Sequence, residues 1–126
     1  MLKSPELLVV FNINGSDEKR IEALELYQKA FNAKSMYDLI PDESGEVHII
    51  MEINGYKFGI FPGDDYNSRG NVTCQFEYDN EDDLRKAYDV LVKGATAHTI
   101  NTDFWCKLHA TVTDKYGIFW SLCVPD

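Results

Sequence analysis

The chain has 126 residues, of which 44% are hydrophobic and 13% aromatic, so it is long and apolar enough to bury the core of one domain. Its formal net charge of −9 repels phosphate backbones and anionic lipid surfaces. We therefore expect neither nucleic acid nor a membrane as a partner, whereas neutral or cationic small molecules remain compatible with this charge.

The cysteines and the first residues indicate the compartment. Cys74, Cys106 and Cys123 are odd in number, far apart in sequence and without a Cys-x-x-Cys pair, so we predict free thiols in a reducing environment. Residues 1–6 lack the basic segment of a signal peptide, and no apolar run approaches the length of a membrane span. The expected location is the cytoplasm.

The first half of the chain shows the pattern of a helix between strands. The apolar run at 7–13 predicts a strand buried on both faces, and Ser16 is placed to cap a helix over about 17–32. A short strand at 35–40 ends at the turn residues 41–45.

A hairpin follows, and its turn determines its register. Asn54-Gly55 is the strongest short hairpin signal, and it joins the alternating residues 46–53 to 56–61. A two-residue loop pairs Ile53 with Tyr56, so that both strands turn their apolar sets to one face. The opposite, mixed face then carries His48, Ile50, Glu52, Lys57 and Phe61.

The same order repeats after a polar linker at 62–70, which is the best boundary between two halves. The second half predicts a strand at 71–78, a helix at 81–93 capped by Asn80, and strands at 95–100, 107–113 and 118–124. The sequence therefore predicts an α+β fold of two tandem β-α-β-β-β modules, about 1–62 and 71–126, in a single domain.

The last turn fixes the faces of the second half. Residues 114–117 (Asp-Lys-Tyr-Gly) fit a type I turn followed by a left-handed glycine, and this loop pairs Val112 with Trp120. The mixed face then carries His109, Thr111, Phe119 and Ser121, with Lys107, Thr113 and Cys123, and Gln75 from the neighbouring strand. We expect Phe104 and Trp105 at the mouth of a cavity lined by the mixed faces of both modules.

Several motifs in this order resemble the vicinal oxygen chelate superfamily, and within it the PhnB-like branch of glyoxalase and bleomycin-resistance proteins. They are Asp103-Phe104-Trp105 followed by residues 114–117 and Trp120, Leu26-Tyr27 followed by residues 30–33, and Val47-His48 ahead of Ile53-Asn54-Gly55. The resemblance covers nearly the whole chain, although Cys106 and Lys115 stand where that branch usually has Gly and Pro. It implies sheets that curl around a cavity, and a homodimer in which modules could exchange through the linker.

Metal-using members of the superfamily place four ligands on the first and fourth strands of the two modules. The matching positions here are about Val9 or Phe11, Gly59–Phe61, Thr73 and Ser121, and a slip of register admits only Gln75 and Cys123. These residues do not make a conventional set of imidazole and carboxylate ligands. His48 and Glu52 share a face, but their Cα atoms would lie roughly 13 Å apart. We therefore predict no metal ion and no cofactor.

The resemblance and the cavity together favour a small-molecule-binding protein similar to the bleomycin-resistance proteins, which hold cationic drugs in acidic, aromatic grooves. The predicted pocket consists of His48, Ile50, Glu52, Lys57, Phe61, Gln75, Phe104, Trp105, His109, Thr111, Phe119 and Ser121. Two alternatives stay open: a diverged lyase, isomerase or dioxygenase with a rearranged metal site, and a cavity filled by its own side chains. No other catalytic signature is present, and the sequence names neither a ligand nor a reaction.

Overall fold

The computed structural model describes residues 7–63, 72–103 and 105–126, and the chain divides into two compact units, Met1–Asp65 and Tyr66–Asp126. The elements of the first unit are β1 (Val9–Asn12), α1 (Asp17–Phe31), β2 (Lys34–Ser35), β3 (Ile49–Ile53) and β4 (Tyr56–Phe61). Those of the second unit are β5 (Cys74–Glu77), α2 (Glu81–Leu91), β6 (Ala97–Asp103), β7 (Cys106–Thr113) and β8 (Phe119–Pro125).

Both units arrange their strands in the same order. The first sheet runs β1-β4-β3-β2 and the second β5-β8-β7-β6, and neither sheet is closed. In each sheet the first strand of the unit pairs in parallel with the last, and the other neighbours are antiparallel. The predicted α+β fold of two tandem β-α-β-β-β modules is thereby confirmed.

The predicted helix caps are present in both units. The Oγ of Ser16 accepts a hydrogen bond from the Lys19 backbone N–H at 3.2 Å, and Asn32 ends α1 in the left-handed conformation with φ 57°. The Oδ1 of Asn80 accepts from the Asp83 N–H at 2.8 Å. Each cap pairs a backbone N–H that the first turn of a helix leaves without a partner.

Both hairpin registers follow the predicted turns. Ile53 pairs with Tyr56 across a two-residue turn in which both central residues have positive φ. Val112 pairs with Trp120, and Gly117 adopts the left-handed conformation with φ 85°. The alternation of side chains between the two faces of each sheet therefore follows the turn chemistry.

The edge strands of the first sheet are shorter than their apolar patterns predicted. β2 covers only Lys34–Ser35 rather than 35–40, and Ile40 is 68% exposed. The predicted burial of the first strand on both faces was wrong, since Leu7 is 83% exposed. β1 and β2 each have a neighbour on one side only, so apolar residues beyond the paired stretch have no strand to lie against.

A buried arginine joins the start of α1 to the residues before β3. Arg20 is 1% exposed and donates to the carbonyl oxygens of Val47, Ile13 and Gly15. It also donates to the Asp17 carboxylate at 2.7 Å, and that carboxylate accepts from the Val47 N–H at 2.9 Å. The guanidinium charge is therefore compensated within the first unit, as burial requires.

This arrangement predicts an acid-dependent stability. The Val47 N–H, with Arg20 beside it, lowers the pKa of Asp17 below its usual 3.8, against the opposing effect of desolvation. A carboxyl whose pKa is depressed in the folded state stabilises above its unfolded pKa, and this contribution is lost as the pH falls through the folded pKa. We expect the difference in free energy of unfolding between wild type and Asp17→Asn, measured by urea unfolding, to narrow below pH 3.8.

The matched control is Asp38→Asn, because Asp38 is exposed. Its free energy of unfolding should stay close to that of wild type at every pH. A gap between wild type and Asp17→Asn that is constant from neutral to strongly acidic pH would contradict this account of Asp17.

A second buried carboxylate organises the last hairpin. The Oδ2 of Asp114 accepts from the indole Nε1–H of Trp120 at 2.9 Å, and its Oδ1 accepts from the backbone N–H groups of Tyr116 and Ile118. Asp114 and Trp120 are both fully buried. The carboxylate thus closes the turn and holds the largest core side chain of the second unit.

We expect Asp114→Ala to lower the free energy of unfolding by about 3 kcal/mol, because it leaves the buried indole N–H and two turn N–H groups without their acceptor. Urea unfolding followed by tryptophan fluorescence measures the change. Asp79→Ala, at an exposed position before α2, should stay within about 0.5 kcal/mol of wild type. An equally small effect of Asp114→Ala would refute the role given to this turn.

The cysteines require a correction. The structure joins Cys106 and Cys123 as a disulfide, with their Cα atoms 6.1 Å apart, and leaves Cys74 as a free thiol. The prediction of three free thiols was wrong. Cys106 and Cys123 are 17 residues apart in sequence, but the hairpin sets β7 beside β8 and brings them within reach of each other. The expected cytoplasmic location loses the support it drew from free thiols. None of the helices described is long and apolar enough to span a bilayer.

Candidate functional site

The second sheet has one face covered by its helix and one polar face. α2 packs against β7 and β8, whose side chains on that side are buried: Leu108, Ala110, Val112, Trp120, Leu122 and Val124. Because side chains alternate along a strand, His109, Thr111 and Ser121 lie on the face turned away from α2. This is the arrangement predicted from the type I turn followed by a left-handed glycine at residues 114–117.

Three strands contribute to one hydrogen-bonded group on that face. The Nε2 of His109 and the Oγ of Ser121 are 2.9 Å apart, and the same Oγ donates to Oε1 of Gln75 at 2.9 Å. We call Gln75, Ser121 and His109 the polar triad. Ser121 is 4% exposed, His109 is half-buried and Gln75 is exposed. The triad therefore extends from a nearly buried hydroxyl to an exposed amide.

The strand register places the triad within two rows of polar side chains. The first row crosses the sheet as Gln75, Ser121, Thr111 and Thr99, and the second as Glu77, Cys123, His109 and Asn101. Hydroxyl oxygens of Thr99 and Thr111 lie 2.6 Å apart, which extends the hydrogen bonding to the edge strand β6. Thr99, Asn101 and Glu77 were not predicted as site residues, although alternation from Thr111, His109 and Gln75 identifies them once the strands are paired.

The first unit presents a comparable face. Register pairs Glu52 with Lys57, and the ring of His48 meets that of Phe61 edge-on, with centroids 5.1 Å apart. Gly59 lies beneath Phe61, because a Cβ at Gly59 would come within 3.0 Å of that ring. The predicted residues of the first unit thus share one face of the sheet.

His48 has a partner at the edge of that face. Its Nδ1 lies 2.8 Å from Oδ2 of Asp42, and both side chains are partly exposed. The hydroxyl and backbone N–H of Ser44 lower the pKa of Asp42 below its usual value. His48 is therefore held by a carboxylate of the preceding turn.

The first unit also has an open cavity of about 300 Å³ near the end of α1. Of the predicted pocket only Glu52 belongs to it, and its lining is Phe31, Asn32, Lys34, Glu52, Asn54 and Gly55. Small-molecule sites are usually mostly apolar with a few polar groups, so this largely polar cavity is a weaker candidate than the triad.

The remaining predicted residues of the second unit differ in exposure. Phe119 is half-buried on the face of the triad, whereas Trp105 is 61% exposed in the turn between β6 and β7. Phe104 lies outside the described residues. The assignment of the twelve residues to one ligand pocket stays a prediction, as does the homodimer.

The side chains do not fit the four-ligand metal site of the superfamily. The predicted positions were wrong by a residue or two on the first strand of each unit. Register sets Val10, rather than Val9 or Phe11, beside Gly59, and Gln75, rather than Thr73, beside Ser121, on the faces turned away from the helices. Val10 and Gly59 carry no ligating atom, and Gln75 and Ser121 offer only neutral groups, whereas first-row divalent ions prefer imidazole and carboxylate.

His109 and Glu77, a carboxylate on the same face, are not on neighbouring strands. Glu77 lies two strands away from it, and neighbouring strands are about 4.8 Å apart. Within residues 7–63, 72–103 and 105–126, no three His, Cys, Asp or Glu side chains are grouped to hold a metal ion.

Comparison with known proteins defines the class of fold. Neither a protein-family model nor a curated protein matches the sequence. Among solved structures, protein PA1353 from Pseudomonas aeruginosa is similar with a TM-score of 0.78 and 14% identity, over 97% of this chain and 98% of that chain. The PhnB protein from Bacillus cereus gives a TM-score of 0.73 and 18% identity, over 97% of this chain and 99% of that chain.

The fosfomycin resistance protein FosX from Listeria monocytogenes, complexed with Mn(II) and sulfate, is a third similar structure. Its TM-score is 0.67 at 14% identity, over 99% of this chain and 93% of that chain. The chain thus has the fold of the vicinal oxygen chelate superfamily, as its motifs predicted. At these identities the likeness shows the fold alone.

Proposed function

We propose that the protein binds a small, neutral or cationic molecule on the face of the second unit that carries the polar triad, without the help of a metal ion. The observation that carries this proposal is the hydrogen-bonded triad itself, in which a nearly buried hydroxyl is held between an imidazole and an amide on three neighbouring strands.

The triad has the features of a recognition group. Ser121 is oriented from both sides, so its hydroxyl loses little freedom when a ligand arrives, and rigid polar groups bind more tightly for that reason. Gln75 is exposed and presents its amide to solvent, where it can donate to and accept from a ligand.

The surroundings of the triad supply apolar surface. Phe119 is half-buried on the same face, and Thr111 and Thr99 add methyl groups beside their paired hydroxyls. A few polar groups among apolar and aromatic surface is the usual composition of a small-molecule site. The net charge of −9 disfavours anionic ligands and favours neutral or cationic ones.

The alternative, a diverged enzyme with a rearranged metal site, has no comparable support. FosX binds Mn(II) in a similar fold, but the corresponding faces here pair Val10 with Gly59 and Gln75 with Ser121. A neutral set of this kind suits hydrogen bonding to an organic ligand better than coordination of a cation.

A thermal-shift panel of neutral and cationic aromatic compounds tests the proposal, because a ligand that binds the folded state raises the melting temperature. Compounds that raise it are then measured by calorimetric titration. We expect Ser121→Ala to weaken their binding about fivefold to tenfold, through the loss of one hydrogen bond and of the bridge that orients the triad.

Thr96→Ala is the matched control, because it removes an exposed hydroxyl from the same unit outside the triad face, and it should leave affinity unchanged. The proposal fails if no compound binds, or if compounds bind wild type and Ser121→Ala equally well.

A further inference from the structure

The disulfide adjoins the triad. Cys106 and Cys123 are 2% and 3% exposed, and their Cα atoms are 6.1 Å apart on neighbouring strands. Cys123 lies two residues beyond Ser121 on β8, so both side chains lie on the face turned away from α2.

A break in the strand register brings Cys106 to that face. In a regular strand Cys106 would share the helix-facing side with Leu108, two residues along β7. The register between β7 and β8 shifts between these two residues, so that Cys106 pairs with Pro125 while Leu108 pairs with Val124. Such a bulge re-aims the side chains beside it. The bridge to Cys123 shows that Cys106 has been turned to the polar face.

Cys123 is also the direct cross-strand partner of His109. The Cβ atoms of residues paired in this way lie about 5 Å apart, on one face of the sheet. The sulfur of Cys123 is therefore a neighbour of the imidazole that meets Ser121 at 2.9 Å. On its other side Cys123 pairs with Glu77, which is exposed.

We propose that Cys106 and Cys123 form a reversible redox switch that controls the position of His109 and, with it, the polar triad. The proposal rests on the proposed function only in treating the triad as the ligand site. Its physical content is that the group beside His109 changes from a disulfide sulfur, which donates no hydrogen bond, to a thiol that donates one.

The exchange balances with a low-molecular-weight thiol as reductant. A thiolate of the reductant attacks one sulfur of the pair, forms a mixed disulfide and releases the other cysteine as a thiolate. A second reductant thiolate attacks the reductant-derived sulfur of that mixed disulfide. This releases the remaining cysteine as a thiolate, and the two reductant molecules leave joined by a disulfide. The two cysteine thiolates take up two protons, so the pair gains two electrons and two protons in all.

The two states differ at His109. In the oxidised state the bridge holds Cys106 on the polar face through the bulge, and His109 has Ser121 as a hydrogen-bond partner. Because Ser121 donates its one hydroxyl hydrogen to Gln75, it accepts from Nε2–H of His109. In the reduced state the Cys123 thiol donates to the other imidazole nitrogen and draws the ring away from Ser121, and Cys106 is released from its bridge. The triad is therefore intact in the oxidised protein and altered in the reduced one.

Equilibration of the full chain with glutathione buffers of different redox ratio tests the chemistry. After quenching, the thiols are alkylated in denaturant and counted by mass spectrometry. We expect two cysteines to lose their adducts together as the buffer becomes oxidising, while Cys74, on the helix-facing side beside Trp120, stays alkylated throughout. The variant Cys74→Ala should give the same transition.

Imidazole proton signals of the three histidines report the structural link. We expect the signal of His109 to shift between the oxidised and reduced protein, while those of His48 and His98, held by Asp42 and Tyr88, stay in place. The variant Cys106→Ala, which leaves Cys123 as a free thiol, should reproduce the reduced position. Because the transition is measured on wild type, its result does not depend on how well that variant folds.

Two outcomes would overturn the proposal: both cysteines remaining alkylated in oxidising buffer, or an unchanged His109 signal across the transition. Neither measurement needs a ligand. The switch can therefore fail while the proposed ligand binding holds, and the proposed ligand binding can fail while the switch holds. A compound that binds through the triad should then show about a fivefold difference in affinity between the two states.

Discussion

The second unit depends on one carboxylate. Asp114 accepts hydrogen bonds from the indole of Trp120 and from two N–H groups of its own turn, with no exposure to solvent. This interaction fixes where β7 turns into β8, and the turn sets the register of the hairpin. Since a slip by one residue would exchange the two faces of the hairpin, the positions of His109, Thr111 and Ser121 on the triad face follow from it.

From that register the chemistry of the face follows. The same strand order in both units gives each a covered face and an open one, and FosX, a protein of similar fold, has been solved in complex with Mn(II). Here Val10 and Gly59 leave the first unit without ligating atoms at the paired positions, and Gln75 and Ser121 supply only neutral groups in the second. We propose that the chain uses this face to bind a ligand through hydrogen bonds.

Much of this could be predicted from turn and cap chemistry. Asn54-Gly55 and the Asp114 turn determined both hairpin registers, and Ser16 and Asn80 marked the helix starts. The triad was harder, because its members were predicted to share a face but their bonding depends on the parallel pairing of β5 with β8, which no local signal shows. Arg20 lies on the helical stripe of Ala23 and Leu24, yet its four acceptors come from two loops and a carboxylate of α1. The disulfide depends on a strand bulge that the sequence does not mark.

We propose that the triad face binds its ligand without a metal ion, and the metal content of the protein tests this proposal most directly. The protein would be purified from cells grown with added Mn(II) and Zn(II), and metal per chain measured before and after treatment with EDTA. The account predicts well under one equivalent of any divalent metal, with no change in ligand affinity after EDTA. One tightly held equivalent, bound through His109 or His48 and needed for ligand binding, would contradict it.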